Sequence, residues 1–314
     1  MPEKQSRRPP FFTPLAFPFP SAILILQRLS PQSVRRSRIS AKNSRKEAHP
    51  MLIDYHVHST FSPDAQNSME EMVQAARAAG MNEMAITDHR DPFCPERQYP
   101  GPDFPQYHAE ITRIQESLPP DFKLRRGLEM GLQNNEPTIS ACRELARAYD
   151  YDYLIASCHS CGGYELYLRN IFKQHTPEEA FRIYYEELYG WLQNFDDFDC
   201  IGHLNVVSRY APVQAAPASY MDIVDEILKL AVHKGKGLEW NTSTFRVDSP
   251  FTMPTEQMLR RYRELGGEII TTGSDAHNAG QVGDSIQLAT QMLQAYGFRY
   301  ITTFEQHKPT FHKL

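Results

Sequence analysis

The sequence predicts an α/β protein, a closed TIM-like (β/α)7 barrel of seven parallel strands wrapped by helices. Two observations carry that prediction. From residue 51 onward, short apolar runs alternate with helix start and stop signals, the pattern of a parallel sheet with helices outside it. Histidines and acids close at least six of those runs. On an open sheet, strand ends spread along a line at about 5 Å per strand, so side chains on the outer strands would not meet. On a barrel the same ends face one mouth, where folds of this kind keep their active sites.

The first strand is residues 52–58 and ends in His56-Val57-His58. Ser68 then caps a helix, with Glu71 three residues on completing a capping box and Gly80 as the stop. Strands follow at 83–88, 123–129 and 153–159. Thr176-Pro177-Glu178-Glu179 joins a capping box to a proline in the first turn and starts a long helix. Residues 199–204 form the fifth strand, 219–234 a helix ending before Gly235, and 237–240 and 268–274 the last two strands. No internal repeat or low-complexity segment interrupts this body.

With 314 residues the chain suits one large barrel. Its 41% apolar and 23% charged residues fit a globular protein. No run approaches the roughly 18 apolar residues of a membrane helix, so no membrane partner is expected. Five cysteines, an odd number, suit free thiols in a reducing compartment, here the cytoplasm. Residues 1–48 carry ten Lys and Arg against two Glu, whereas the remainder carries 23 basic and 36 acidic residues. An acidic body argues against a broad nucleic-acid surface but leaves room for a local phosphate pocket.

Residues 1–50 read as a separate, basic, Pro-rich extension. Arg7-Arg8-Pro9-Pro10, Pro14, Pro18 and Pro20 break any early helix, and the apolar stretch Ala22 to Leu26 is short. Acid-poor, Arg-rich and Ser-rich composition is shared with transit peptides. The prolines and poor amphipathic pattern favour a disordered tail, or a start placed too early with Met51 as the natural one. Residues 51–314 are then a single barrel domain.

His56 and His58 lie two apart, so on a strand both rings project to one face, the spacing for two imidazoles on one ion. Alone the pair is weak evidence. Asp64 follows in a Ser-Pro loop, and Thr87-Asp88-His89 closes the second strand. Glu129 ends an apolar strand, where a carboxylate is costly unless paired or metal-bound. His159, His203, Asp275 and His277 occupy equivalent strand-end positions. A lone histidine of this kind is more often a core residue, but six histidines with three acids exceed that explanation. Imidazoles and carboxylates without thiolate suit Zn, Fe or Mn.

The string His56-x-His58, Asp64, Thr87-Asp88-His89, Gly127-Leu128-Glu129, Ser157-x-His159, Gly202-His203 and Gly273-Ser274-Asp275-Ala276-His277 resembles the polymerase and histidinol phosphatase (PHP) superfamily. The resemblance covers about residues 51–310. Asn194 to Asp199, Gly202-His203-Leu204, Glu239-Trp240-Asn241-Thr242-Ser243 and Phe298-Arg299-Tyr300 are similar to its histidinol-phosphate phosphatase branch. The resemblance implies the PHP fold, a distorted seven-stranded (β/α)7 barrel, with a trinuclear metal centre of Zn, Fe or Mn. Carried over, His56, His58, Glu129 and Asp275 hold the first ion. Glu129 bridges to a second, completed by His159 and His203, and Asp64, His89 and His277 hold the third. Asp64 stands where relatives often have His, a change to a harder ligand.

The implied activity is hydrolysis of L-histidinol phosphate, a small phosphorylated substrate, to L-histidinol and phosphate in histidine biosynthesis, by a metal-bound hydroxide. Arg209 and Arg246 fall in loops after ligand-bearing or neighbouring strands. Guanidinium forks match phosphate oxygens, and the branch clamps its substrate phosphate with arginines at comparable places. Glu129, Arg209, Arg246 and His89 are the residues expected to carry catalysis, with a bound water or a histidine near the third ion protonating the leaving oxygen. A PHP-type nuclease or nucleotide phosphatase is the alternative enzyme. A non-catalytic metal-binding module would need a degraded ligand set, and all nine ligands are present. The oligomeric state is left open.

Other features carry no function in this reading. Cys158 neighbours His159 on a strand, so Cys158-x-x-Cys161 should face away from the metals. Gly235-Lys236-Gly237 lacks the spacing of a phosphate loop. Tyr184, Tyr185, Tyr189 and Trp191 read as helix packing, and His108, His175, His233, His307 and His312 as surface residues.

Overall fold

The computed structural model describes residues 51–247 and 249–314; the expected N-terminal extension lies outside them. In chain order the elements are β1 (Ile53–Val57), α1 (Met69–Ala78), β2 (Glu83–Ile86), β3 (His89–Arg90), α2 (Phe104–Ser117), β4 (Lys123–Gly131) and α3 (Glu136–Ala148). Then come β5 (Tyr153–Ser157), β6 (Ser160–Cys161), β7 (Tyr164–Glu165), α4 (Ile171–Gln174), α5 (Pro177–Asn194), β8 (Cys200–Ile201) and α6 (Val207–Tyr210). The last are α7 (Met221–His233), β9 (Gly237–Asn241), α8 (Glu256–Glu264), β10 (Ile270–Gly273), α9 (Ile286–Ala295), β11 (Tyr300–Glu305) and β12 (Lys308–Lys313).

Seven strands run β1-β2-β4-β5-β8-β9-β10, each parallel to its neighbour. A parallel bridge between Val57 and Ala276 joins the last strand's extension to the first and closes the barrel. The closure is distorted. β1 and β2 lose register between Asp54 and Val57. The expected second strand breaks at Thr87-Asp88, and its continuation β3 sets His89 opposite Glu129. There the Asp88 carboxylate accepts hydrogen bonds from Ser59 and Ser62, while its carbonyl still accepts from the Glu129 N–H at 3.1 Å. The fifth strand stops at Ile201 rather than 204, because His203 adopts φ +20° and donates its N–H to the Glu239 side chain instead of to a backbone carbonyl.

Both anticipated capping boxes form, Ser68 with Glu71 and Thr176 with Glu179. Helix α5 buries Tyr184, Tyr185 and Trp191 against the barrel, with Tyr189 partly buried beside them. Helices α2, α3 and α8 carry Asp103, Asn135 and Thr255 as N-caps, signals equally present in the sequence. The hairpin β11–β12 was not anticipated. Its turn residues Gln306 and His307 both take positive φ, without the Asn-Gly or Asp-Gly pair that marks such turns. It packs Phe304 on Tyr153 and ties its turn to Asp152 at the end of the barrel away from the ligand-bearing loops.

The surface assignment holds for His233 and His307, both exposed, and fails for His108, His175 and His312, which are partly buried. His108 is half-buried and stacked on Tyr149, and burial with the nearby Arg126 charge lowers its pKa to about 4. His307 pairs with Asp199 at 2.9 Å, and His312 bonds Thr303. All five cysteines are free and buried, and Cys158 contacts the Ser160 carbonyl. No helix of the described residues is long and apolar enough to cross a membrane.

Candidate metal centre

The strand ends converge as a barrel requires. Glu129, fully buried on β4, sits at the centre. Its Oε2 lies 3.1 Å from His56 Nε2 and 3.6 Å from His58 Nε2, while Asp275 Oδ1 lies 3.8 and 3.6 Å from the same nitrogens. Its Oε1 faces His203 Nε2 at 2.9 Å and His159 Nε2 at 3.2 Å. At the rim, Asp64 Oδ2 lies 3.4 Å from His277 Nε2 and 3.8 Å from His89 Nε2. His89 joins rim to centre, for its Nδ1 is 2.9 Å from Glu129 Oε2. All nine residues expected from the sequence therefore meet in one place, with Asp64, 53% exposed, the most open to solvent.

Positive charge balances the carboxylates. Despite burial, His56 and His159 hold the Glu129 carboxyl well below the usual range. Asp275 is held down likewise, by Arg209 and then His56. Burial would discharge His56, but Glu129, Glu239 and Asp275 raise its pKa well above that of a free imidazole. His58 goes the other way, through burial and the adjacent His89 and His277.

The donor set fits metal ions. His56 Nε2, His58 Nε2, His89 Nδ1 and Glu129 Oε2 are buried and make no hydrogen bond. Such orphaned atoms are costly, and here they are close together but misaligned for bonding one another. Four trios of histidines and carboxylates bring their ligand atoms within 4.8 Å: His56-His58-Asp275, His56-Glu129-His203, His89-Glu129-His159 and His58-His89-His277. Nitrogen and oxygen donors without thiolate match Zn, Fe and Mn.

The two arginines differ. Arg209 lies on the short helix α6 rather than in a loop. Its Nη2 donates to Asp275 Oδ2 at 2.8 Å and to Ser243, and its side chain lines a cavity of about 190 Å³ over the ligand cluster. Arg246 turns its fork to the backbone, donating to the carbonyls of Ser274 at 2.6 Å and Asp275 at 3.2 Å. It anchors the turn in which Asp275 takes φ +54° and does not line that cavity.

Three acids received no role from the sequence. Asp91 accepts from His159 Nδ1 at 2.6 Å. Glu239 contacts His56 Nδ1 at 2.6 Å and the His203 N–H at 2.7 Å. Asp54 accepts from the N–H and hydroxyl of Ser274, next to Asp275. The argument that singled out Glu129, an acid inside an apolar strand, applies equally to Asp54 and Glu239. Asp91 carries no such signal. Four further residues that line the cavity, Arg97, Tyr99, Glu165 and Tyr167, were also unread.

A parallel barrel closed around buried imidazoles and carboxylates, with an arginine over them, defines a metal-dependent phosphoester hydrolase. Residues 54–243 match the PHP domain, and the chain belongs to that family. The histidinol-phosphatase of Lactococcus lactis is 34% identical over 268 residues, 82% of this chain and 95% of that one. A solved structure of histidinol phosphate phosphatase from the same organism, complexed with zinc, L-histidinol and phosphate, matches with a TM-score of 0.76 at 32% identity. That match covers 83% of this chain and 99% of the solved one. A probable histidinol-phosphatase of Clostridium acetobutylicum is 28% identical over 249 residues, 78% of this chain and 93% of that one.

Proposed function

We propose that this chain hydrolyses L-histidinol phosphate to L-histidinol and phosphate, as a cytoplasmic enzyme of histidine biosynthesis. The observation that carries the reading is Glu129, whose two oxygens face separate groups of histidines from opposite sides of one buried cluster. In this reading His56, His58, Glu129 and Asp275 hold one ion. Glu129, His159 and His203 hold a second, and Asp64, His89 and His277 a third. Bound ions of this kind supply Lewis acidity to phosphate oxygens and lower the pKa of a water.

The protein's own groups do the rest. Arg209, fixed by Asp275, offers its guanidinium to the nonbridging phosphate oxygens, where charge builds during transfer. Arg246 acts one step back by holding the Asp275 turn. His89 faces Glu129 with Nδ1 at 2.9 Å and Asp64 with Nε2 at 3.8 Å, which suits the holding of an ion between them.

The test is phosphate release by protein stripped with a chelator and then reloaded with zinc, manganese or iron. Histidinol phosphate, nucleoside monophosphates and short DNA are compared. Turnover should require metal and favour histidinol phosphate. Preference for DNA or nucleotides would replace this reading with that of a nuclease or nucleotide phosphatase.

A further inference from the structure

We infer that Glu239 is a positioning residue for the metal centre, fixing the tautomer of His56 and the backbone of His203 through the two oxygens of one carboxylate. The inference rests on the reading of His56 and His203 as ligands. Glu239 lies within β9, 1% exposed, on a strand that supplies none of the nine proposed ligands. Its Oε1 is 2.6 Å from His56 Nδ1, and its Oε2 accepts the His203 N–H at 2.7 Å. Among the described residues, only Asn241 Nδ2 also approaches both oxygens, at 3.3 and 3.4 Å.

A carboxylate against Nδ1 keeps the proton there, which leaves the Nε2 lone pair for a metal. His56 Nε2 is the atom that faces Glu129 and makes no hydrogen bond. The second oxygen acts on a different ligand. His203 holds φ +20°, a conformation L-residues seldom adopt without outside support. Its anchored N–H keeps the ring where Nε2 reaches Glu129 Oε1 at 2.9 Å. One carboxylate thus sets a ligand on β1 and another beyond β8, and these belong to two of the proposed ion sites. Gly273 leaves the room it needs, since a methyl there would collide with Glu239 Oε1 and His56 Cβ.

Glu239→Gln is nearly isosteric but offers one acceptor and one donor to two donors, so one of the two contacts must fail. Zinc affinity of the full chain is measured by competition with a chromophoric chelator, and the His56 ring and His203 amide by nitrogen NMR of the zinc-loaded protein. Affinity should fall about 10- to 100-fold, with loss of either the His56 Nδ1–H signature or the hydrogen-bonded His203 amide signal. Wild-type affinity overturns the inference. So does a fall in affinity with both signals intact, which would mean general loosening. Should the Gln variant not fold, Gly273→Ala leaves every charge in place and wedges a methyl between Glu239 and His56. It should lower affinity and shift the His56 signal, and wild-type affinity there overturns the inference too. A wild-type chain that binds no zinc would instead sink the metal reading beneath it.

Discussion

Arg209 and Arg246 look alike in the sequence but should fail differently when removed. Arg209 lines the cavity, and Nη2 alone makes its bonds to Asp275 and Ser243. Arg209→Ala deletes a charge-assisted contact to phosphate worth roughly 1.5–3 kcal/mol, or about ten- to a hundredfold in kcat/KM. Asp275 loses one cationic neighbour but keeps His56, His58 and His277, so metal content should stay near wild type. Lys at 209 should rescue partly, as a point charge without the planar fork. Arg246→Ala instead frees the carbonyls of Ser274 and Asp275. That loosens a proposed ligand held at φ +54°, and bound metal should fall together with activity. Steady-state kinetics with histidinol phosphate and metal analysis of each variant separate the two. Unchanged kinetics in Arg209→Ala, or equal metal loss in both alanine variants, would refute this division of roles.

Glu129→Gln should strip metal more severely than any other single ligand change, because one carboxylate faces the histidines of two proposed ions; metal analysis after dialysis checks it. In metal-free protein the same change should also destabilise the fold, by about 3–5 kcal/mol as for a broken buried ion pair. Despite burial, Glu129 and then Asp91 help raise His89 to about 9. The stabilisation from such pairs is therefore full below the unfolded pKa of about 6.5 and fades as pH rises through 9. Urea unfolding at pH 6 and pH 9.5 should show the deficit shrinking, and a pH-independent deficit would contradict the argument. A chain beginning at Met51 should fold and turn over normally, and circular dichroism with activity would expose any dependence on residues 1–50.

The ligands were legible because their signal is local. Alternation along β1 puts His56 and His58 on one face whatever surrounds them, and Glu129 is conspicuous because an acid in an apolar strand needs a partner. Helix starts at Ser68 and Thr176 were legible for the same reason, since a capping box closes within four residues. What the sequence left open depends on which strands become neighbours. Glu239 reaches His56 only because β9 lies beside β10, which closes the ring onto β1 through Val57 and Ala276. Asp91 meets His159 only because β3 and β5 flank β4. The same holds for the arginines: two guanidinium groups past strand ends are equivalent in sequence, and only the path of the Asp275 turn gives one the cavity and the other the backbone. Local chemistry thus announced the donors. Their pairing, and the carboxylates that brace them, follow from contacts between residues tens to hundreds of positions apart, set when the barrel closes.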